Sequence, residues 1–293
     1  MTRHLPHLPH FPHLPHVRHR RRRHHLNIIG GLFAWIWLAV IIIPIYYMVL
    51  ASLRSQGDYY ASNPLIPPLT PSLRAYVTVV HNDFGLYLLN SLIVTLTTVI
   101  VLLAVAVMGS FAIVRGRSAA SLRVFRLFLL GLAIPAQATI IPLYYMIKTM
   151  GLYDSLIALI LPSIGFGIPI TVLILVNFIR DIPADLFESM KLDGAGSWRT
   201  LWSLVLPLTR PALVTVGIYD ALQVWNGFLF PLVLTGKSAV RVLPYSLVTY
   251  QGEHGADTPA ILAAVILSAL PILAAYIIGR RQLVAGLTAG FGK

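Results

Sequence analysis

The chain has 293 residues, of which 57% are hydrophobic and 11% charged, with 22 Lys and Arg against 10 Asp and Glu. A soluble domain carries roughly 25% charged residues, so this composition excludes an ordinary water-soluble globule and places the chain in a bilayer. No Cys is present, which excludes disulfides and cysteine-based metal or thiol chemistry.

Residues 1–26 stand apart in composition. His4, Pro6, His7, Pro9, His10, Pro12, His13, Pro15 and His16 recur with a period of three. A polyproline II helix has three residues per turn, so these His residues would share one face. Metal binding is one reading of such a tract. No acidic or Cys ligands accompany it, which favours the other reading: a disordered tail whose Arg20–Arg23 cluster anchors the first span.

Six apolar stretches follow, at 28–52, 86–114, 127–147, 156–179, 211–235 and 260–279. Each reaches about 20 residues, enough at 1.5 Å per residue to cross a core of about 30 Å. The first is too long for a signal-peptide core. Pro44, Pro135, Pro142, Pro162, Pro169 and Pro231 fall inside these stretches, and spanning helices tolerate them where neighbours satisfy the freed backbone. Asn90 and Ser91 open the second span as a helix start. Seventeen of the 22 basic residues fall on the side of the N-terminus; Arg54, Arg74, Lys148, Lys237 and Arg241 fall on the other. The positive-inside rule then predicts both termini in the cytoplasm. It also makes the net charge of +12 topogenic, so a nucleic-acid partner is not implied.

The inside loop 180–210 carries the most information. Pro183 can open a short helix, with Asp185 and Glu188 near its positive end. Leu186, Phe187 and Met190 would make its apolar face, and Gly194 and Gly196 would break it. A second amphipathic piece runs from Ser197 to Leu206, with Pro207 expected to stop it. An elbow lying on the membrane surface would show the same pattern.

This loop resembles that of the inner-membrane permeases of binding-protein-dependent ABC importers, which have the form E-A-A-x3-G-x9-I-x-L-P. Here Glu188-Ser189-Met190 is followed by Lys191-Leu192-Asp193 and Gly194, and after nine residues by Leu204-Val205-Leu206-Pro207. The spacing matches throughout. Ser189 and Met190 replace the two Ala, and Leu204 replaces Ile. Residues 134–155, the pair Trp225-Asn226 and the closing "RRQLVAGLTAGFGK" are similar to the carbohydrate-uptake branch of the family, of the maltose MalG type.

The resemblance implies an all-α, six-span type I importer (MetI-like) permease fold. It divides the chain into the tail 1–26, a first span and external loop 27–85, a transmembrane core 86–281 holding the loop 180–210, and a cytoplasmic tail 282–293. The loop would be a coupling helix. Its residues Leu186, Phe187, Glu188, Met190, Asp193, Gly194, Leu206 and Pro207 would contact a separate ATPase, which would bind the ATP and Mg. Gly194 would allow a sharp turn or close backbone approach. Gly286, Leu287 and Gly290, with Gly292, would form a flexible tail reaching that ATPase. The other partners implied are a second permease subunit and an extracytoplasmic solute-binding protein in the bacterial inner membrane.

The sequence TGKS at 235–238 is no P-loop, because the motif needs Gly at 231 and Pro231 is there. The substrate path is expected on the fifth span. Asp220, Gln223 and Asn226 recur at i+3 and spread over an arc of about 120°. An ionised Asp in a membrane should face protein or water. One reading is that the arc lines a sugar cavity, with Asn226 binding hydroxyls; the other is that Asp220 packs against a neighbouring helix. Trp225 projects from roughly the opposite side, for interhelix packing or for stacking on a sugar. The stretch Ser163 to Pro169, with Gly165 and Gly167, would be a broken segment facing the same cavity. A non-sugar ABC permease, a secondary transporter and a membrane enzyme are the alternatives. Only Asp220 is evident as a buried ionisable group for ion coupling, and His81 and His254 are isolated.

Overall fold

The computed structural model describes residues 28–116, 118–252 and 255–289, and their burial from residue 30 to residue 277. The His/Pro tract, and Gly290 and Gly292 of the expected tail, lie outside the described residues. Two compact units divide at Pro44. The first contains the opening part of α1 (Ile28–Ser52). Trp35, Ile36, Trp37, Ile41 and Ile43 are all exposed there. A helix that is apolar on every side belongs in lipid.

The second unit begins with the end of α1. Arg54 is 2% exposed and orders the segment that follows. It donates to the Asp58 carboxylate at 3.4 Å, the Asn63 carbonyl at 2.8 Å, the Ser62 hydroxyl and the Ile66 carbonyl. One guanidinium fork thus holds a stretch whose only regular element is α2 (Gln56–Ala61). α3 (Arg74–Val79) enters α4 (Gly85–Gly116) through a kink at Asn82 and Asp83, where Asp83 has φ 58°. α5 (Ala119–Gly131) is capped by the Ser118 hydroxyl, which accepts the Ser121 N–H at 3.1 Å. α6 (Ala136–Thr149) and α7 (Ile157–Arg180) follow. Next come α8 (Ala184–Leu192) and α9 (Ser197–Thr200), the latter continuous with α10 (Leu206–Trp225). α11 (Leu229–Leu234) and α12 (Leu243–Ser246) lead to a two-strand ribbon. Its strands, β1 (Gln251–Gly252) and β2 (Gly255–Ala256), are antiparallel, with Gln251 opposite Ala256. α13 (Thr258–Ala289) closes the described chain.

Among the described residues, five helices are long and apolar enough to cross a bilayer. α5 and α6 make a sixth crossing only as a pair, bent by 100°. The two halves of the pair pack at opposite ends of α4 and α7. Phe125 on α5 packs with Ile113, Ile179 and Phe187. Leu143 and Ile147 on α6 pack with Leu159, Leu234 and Val242, at the opposite end of α4 and α7. The first of these ends carries Arg115, Arg123, Arg126, Arg180 and Arg199, and is called the basic end below.

Local structure departs from the sequence expectations in several places. The third span is not one straight helix over 127–147: Pro135 caps α6 in extended geometry, and a residue preceding proline is kept out of the helical region, so the chain turns at 132–135. The fourth span is not broken. α7 passes through Pro162 and Pro169, with the Ser163 hydroxyl donating to the Leu159 carbonyl at 2.7 Å. The fifth span does not run to 235 but ends at Trp225. Nor does Pro207 stop a helix. A widened turn at 201–205, with Leu206 N–H donating to the Leu201 carbonyl, takes the chain across it. Asn90 and Ser91 are not a helix start but buried residues inside α4. The helix α13 runs on to Ala289, so Gly286 and Leu287 are helical and not part of a glycine-loosened tail.

Candidate functional site

α4, α6, α7, α10 and α11 surround a cavity of ≈ 370 Å³. Its polar lining comes from Ser91 and Thr95 on α4, Gln137 on α6, Ser163 on α7, and Asp220 and Gln223 on α10. Phe166 and Phe230, with ring centroids 5.7 Å apart, add an aromatic wall. Asp220 is 2% exposed, and its carboxylate accepts the hydroxyl of buried Thr171 at 2.9 Å. Asp220 thus joins α10 to α7 and also borders the cavity. Gln223 is exposed one turn further along the same wall.

Two expected path residues, Asn226 and Gly165, fall elsewhere. Asn226 is the C-cap of α10, and its side-chain amide donates to the Leu222 carbonyl at 2.9 Å. It is absent from the cavity wall, and its amide caps the helix instead. Gly165 faces a separate groove beside α6. Gly167 does border the cavity, but as a packing glycine: a Cβ there would lie 2.6 Å from Leu102 Cδ2. Trp225 also borders the cavity, but it is buried against Tyr87 and Leu243, and its indole N–H donates to the Ser268 carbonyl at 3.3 Å.

A strap, whose Val242 borders the cavity, crosses the end away from the basic residues. Asn90 donates its side-chain N–H groups to the Ala239 carbonyl at 2.9 Å and the Arg241 carbonyl at 2.8 Å. Ser91 accepts the Leu243 N–H at 2.8 Å. Asp154 accepts the N–H groups of Gly236 and of Lys237, the latter at 3.0 Å. The glycine and lysine of TGKS thus cradle a carboxylate of their own chain. Sequence reading missed Thr171, Asn90 and Asp154 as tethers. Hydroxyl and amide residues recur along several spans, and only the register of the helices selects which ones meet.

At the basic end, the loop after α7 forms the expected helix and turn. Gly194 has φ +73°, a left-handed geometry that favours glycine. Ala195 N–H donates to the Met190 carbonyl at 2.9 Å and Gly194 N–H to the Lys191 carbonyl, closing α8 in a Schellman turn. The face of α8 differs from expectation. Phe187 is 8% exposed and packs inward on Ile113, Phe125 and Ile179, with the Arg115 guanidinium 5.2 Å from its ring centroid. Leu186, Glu188 and Asp193 are exposed and Met190 is half-buried. Leu206 packs on the inner core, while Pro207 is exposed at the second position of α10. The apolar groups that face outward are Leu186, Leu192, Trp198 and Trp202.

Residues 106–283 match the family of binding-protein-dependent transport system inner membrane components. The chain belongs to this family. It is therefore a multi-pass permease subunit of an ATP-binding-cassette transporter, working with a binding protein, and not an enzyme. A putative ABC transporter permease protein, ORF2, of Caldicellulosiruptor sp. is 36% identical over 89% of this chain and 95% of its own length. The glucose import system permease protein GlcU of Saccharolobus solfataricus is 32% identical over 88% of this chain and 91% of its own. The diacetylchitobiose uptake system permease protein NgcG of Streptomyces coelicolor is 28% identical over 87% of this chain and 85% of its own. A chain from the crystal structure of a bacterial alginate ABC transporter, in complex with an alginate pentasaccharide-bound periplasmic protein, shares the fold. Its TM-score is 0.59 at 15% identity, covering 87% of this chain and 95% of that one. Membership of this family sets aside the secondary-transporter and membrane-enzyme readings.

Proposed function

We propose that this permease passes a sugar or oligosaccharide across the cytoplasmic membrane, with its basic end and both termini in the cytoplasm. The observation that carries the reading is the cavity wall. Hydroxyl, amide and carboxylate groups alternate there with the rings of Phe166 and Phe230. Sugars present hydroxyl edges and apolar C–H faces, and a mostly apolar pocket with a few convergent polar groups suits both. The named activities of the relatives GlcU and NgcG support the same substrate class. A second permease subunit would complete the path, and an extracytoplasmic binding protein would deliver the sugar. A separate ATPase, holding ATP and Mg, would dock on the exposed face of α8 and the Gly194 turn. The inward packing of Phe187 would carry the movement of that ATPase into the span ends.

Uptake of radiolabelled glucose and chitobiose derivatives by the assembled transporter tests this, with ATP hydrolysis followed in parallel. Gln223→Ala should lower uptake per assembled complex by about two- to tenfold, the worth of one hydrogen bond. Asn226→Ala should leave it unchanged, since Asn226 only caps α10. Equal losses in both variants, or stimulation by a non-sugar solute alone, would overturn the reading.

A further inference from the structure

The described residues hold a second, larger cavity, of ≈ 740 Å³, at the basic end. It lies between the end of α4, the start of α5, the end of α7 and the start of α8. Arg115, Arg180, Ser118 and Ser121 line it, and Phe187 forms part of its wall. The two guanidinium groups are positioned by aromatic rings: Arg115 over Phe187 and Arg180 over Phe125, each 5.2 Å from the ring centroid. Stacking engages the faces of the guanidinium planes and leaves their N–H edges available. Neither arginine forms an ion pair among the described residues. Asp181, itself engaged in an interaction, also lines the cavity.

We infer that this cavity is a binding site for a phosphate-bearing anion at the membrane surface. Two preorganised guanidinium forks suit bidentate contacts to phosphate oxygens. The Ser118 and Ser121 hydroxyls line the same cavity, hydrogen-bonded to each other at 3.1 Å. The site lies where the long apolar helices α4 and α7 end. Leu122 is in its wall and exposed, and Leu127 and Leu130 further along α5 are exposed too, an apolar flank for acyl chains. An anionic phospholipid headgroup and a free phosphate share the chemistry. Because Phe187 on α8 carries one of the two arginines, occupancy of the site would stiffen the helix proposed to couple the ATPase. That consequence rests on the proposed function; the binding does not.

The test uses the full chain in nanodiscs of phosphatidylcholine with a minor fraction of phosphatidylglycerol, and native mass spectrometry counts retained lipids. Wild-type protein should retain phosphatidylglycerol in preference to phosphatidylcholine. Arg115→Gln with Arg180→Gln should reduce that preference by about fivefold per arginine. Arg123→Gln with Arg199→Gln removes the same charge outside the cavity and should leave most of the preference. Arg115→Lys with Arg180→Lys keeps the charge without the planar fork and should fall between. Displacement of the lipid by millimolar inorganic phosphate would identify the free anion as the occupant; no displacement would identify the headgroup. Equal losses in the two Gln pairs would reduce the effect to diffuse surface charge and overturn the site, as would an undiminished preference in Arg115→Gln with Arg180→Gln. Lipid retention is read without transport, so this inference and the sugar reading fail separately.

Discussion

Both ends of the helix bundle hold an apolar core, and the end opposite the basic one adds a strap held by hydrogen bonds. At the basic end, Phe111, Phe125, Ile179, Phe187 and Val205 form a continuous apolar core, with arginines laid over two of the rings. At the opposite end, three polar side chains hold the strap 236–243 by its backbone: Asn90, Ser91 and Asp154. Apolar packing is non-directional, so helices can slide or tilt against it while burial is kept. Hydrogen bonds to backbone groups are directional, so the strap is either seated or released. A permease that alternates access needs both behaviours. On that basis graded motion is expected at the basic end and discrete release at the strap.

The largest expected effect breaks the basic end. Phe187→Ala removes a buried ring, a change that costs about 3–5 kcal/mol in protein cores. It should lower the thermal midpoint of the solubilised permease markedly, and recovery of a co-expressed ATPase should fall with it because α8 loses its seat. Leu186→Ala, one residue away but exposed, should change stability by at most about 0.5 kcal/mol. Phe187→Leu should recover most of the loss. If Leu186→Ala destabilises as much as Phe187→Ala, α8 is not anchored by its inward face.

Asn90→Ala sharpens the other side of the comparison. It leaves the carbonyls of Ala239 and Arg241 without their donor, worth about 1–3 kcal/mol when such groups stay buried. Global stability should change less than for Phe187→Ala, while the strap should open far more often. Trypsin cleavage after Lys237 or Arg241 in the native protein reports that opening, and should accelerate by about fivefold or more. Cleavage at the wild-type rate would show that the strap is held by its apolar contacts alone.

How much of this was legible from the sequence depended on which physics fixed each feature. Apolar runs locate spans, and 28–52 and 156–179 coincide with helices within a residue or two. Spacing located the loop turn, because a left-handed residue after a helix asks for glycine and Gly194 supplies it. Proline positions misled. Pro169 and Pro207 are absorbed within helices while Pro135 starts one after a sharp bend, and the outcome turns on neighbours distant in sequence. Gly131 leaves room for Pro169, where a Cβ would come within 2.9 Å of its Cγ. Side-chain direction was least accessible. Leu186, Phe187 and Met190 share an apolar pattern, yet only contact with α4, α5 and α7 selects Phe187 as the buried one. The Asp220–Thr171 pair had a partial signal, since an acid within a span demands a partner. Six or more hydroxyls could have met that demand.

The smallest expected effect concerns Asp154, between α6 and α7, outside the spans. Burial pushes its carboxyl up, but the N–H groups of Gly236 and Lys237 and the Lys237 charge outweigh burial and hold it below the ordinary 3.8. A carboxyl lowered on folding stabilises the strap fully above its ordinary pKa, and that contribution is lost as pH falls through the lowered folded value. The residue has φ +60°, a geometry Asn tolerates, so Asp154→Asn removes the charge without straining the backbone. In a site open to solvent the change should raise strap opening by about two- to fivefold near neutral pH, with the gap shrinking in salt. Amide hydrogen exchange at Gly236 and Lys237 measures it. The wild-type advantage over the variant should hold down to about pH 4 and vanish as the carboxyl protonates below that. A gap that persists at the lowest pH at which the protein stays folded would mean that the carboxylate charge contributes nothing, and that the shape of the turn alone seats this end of the strap.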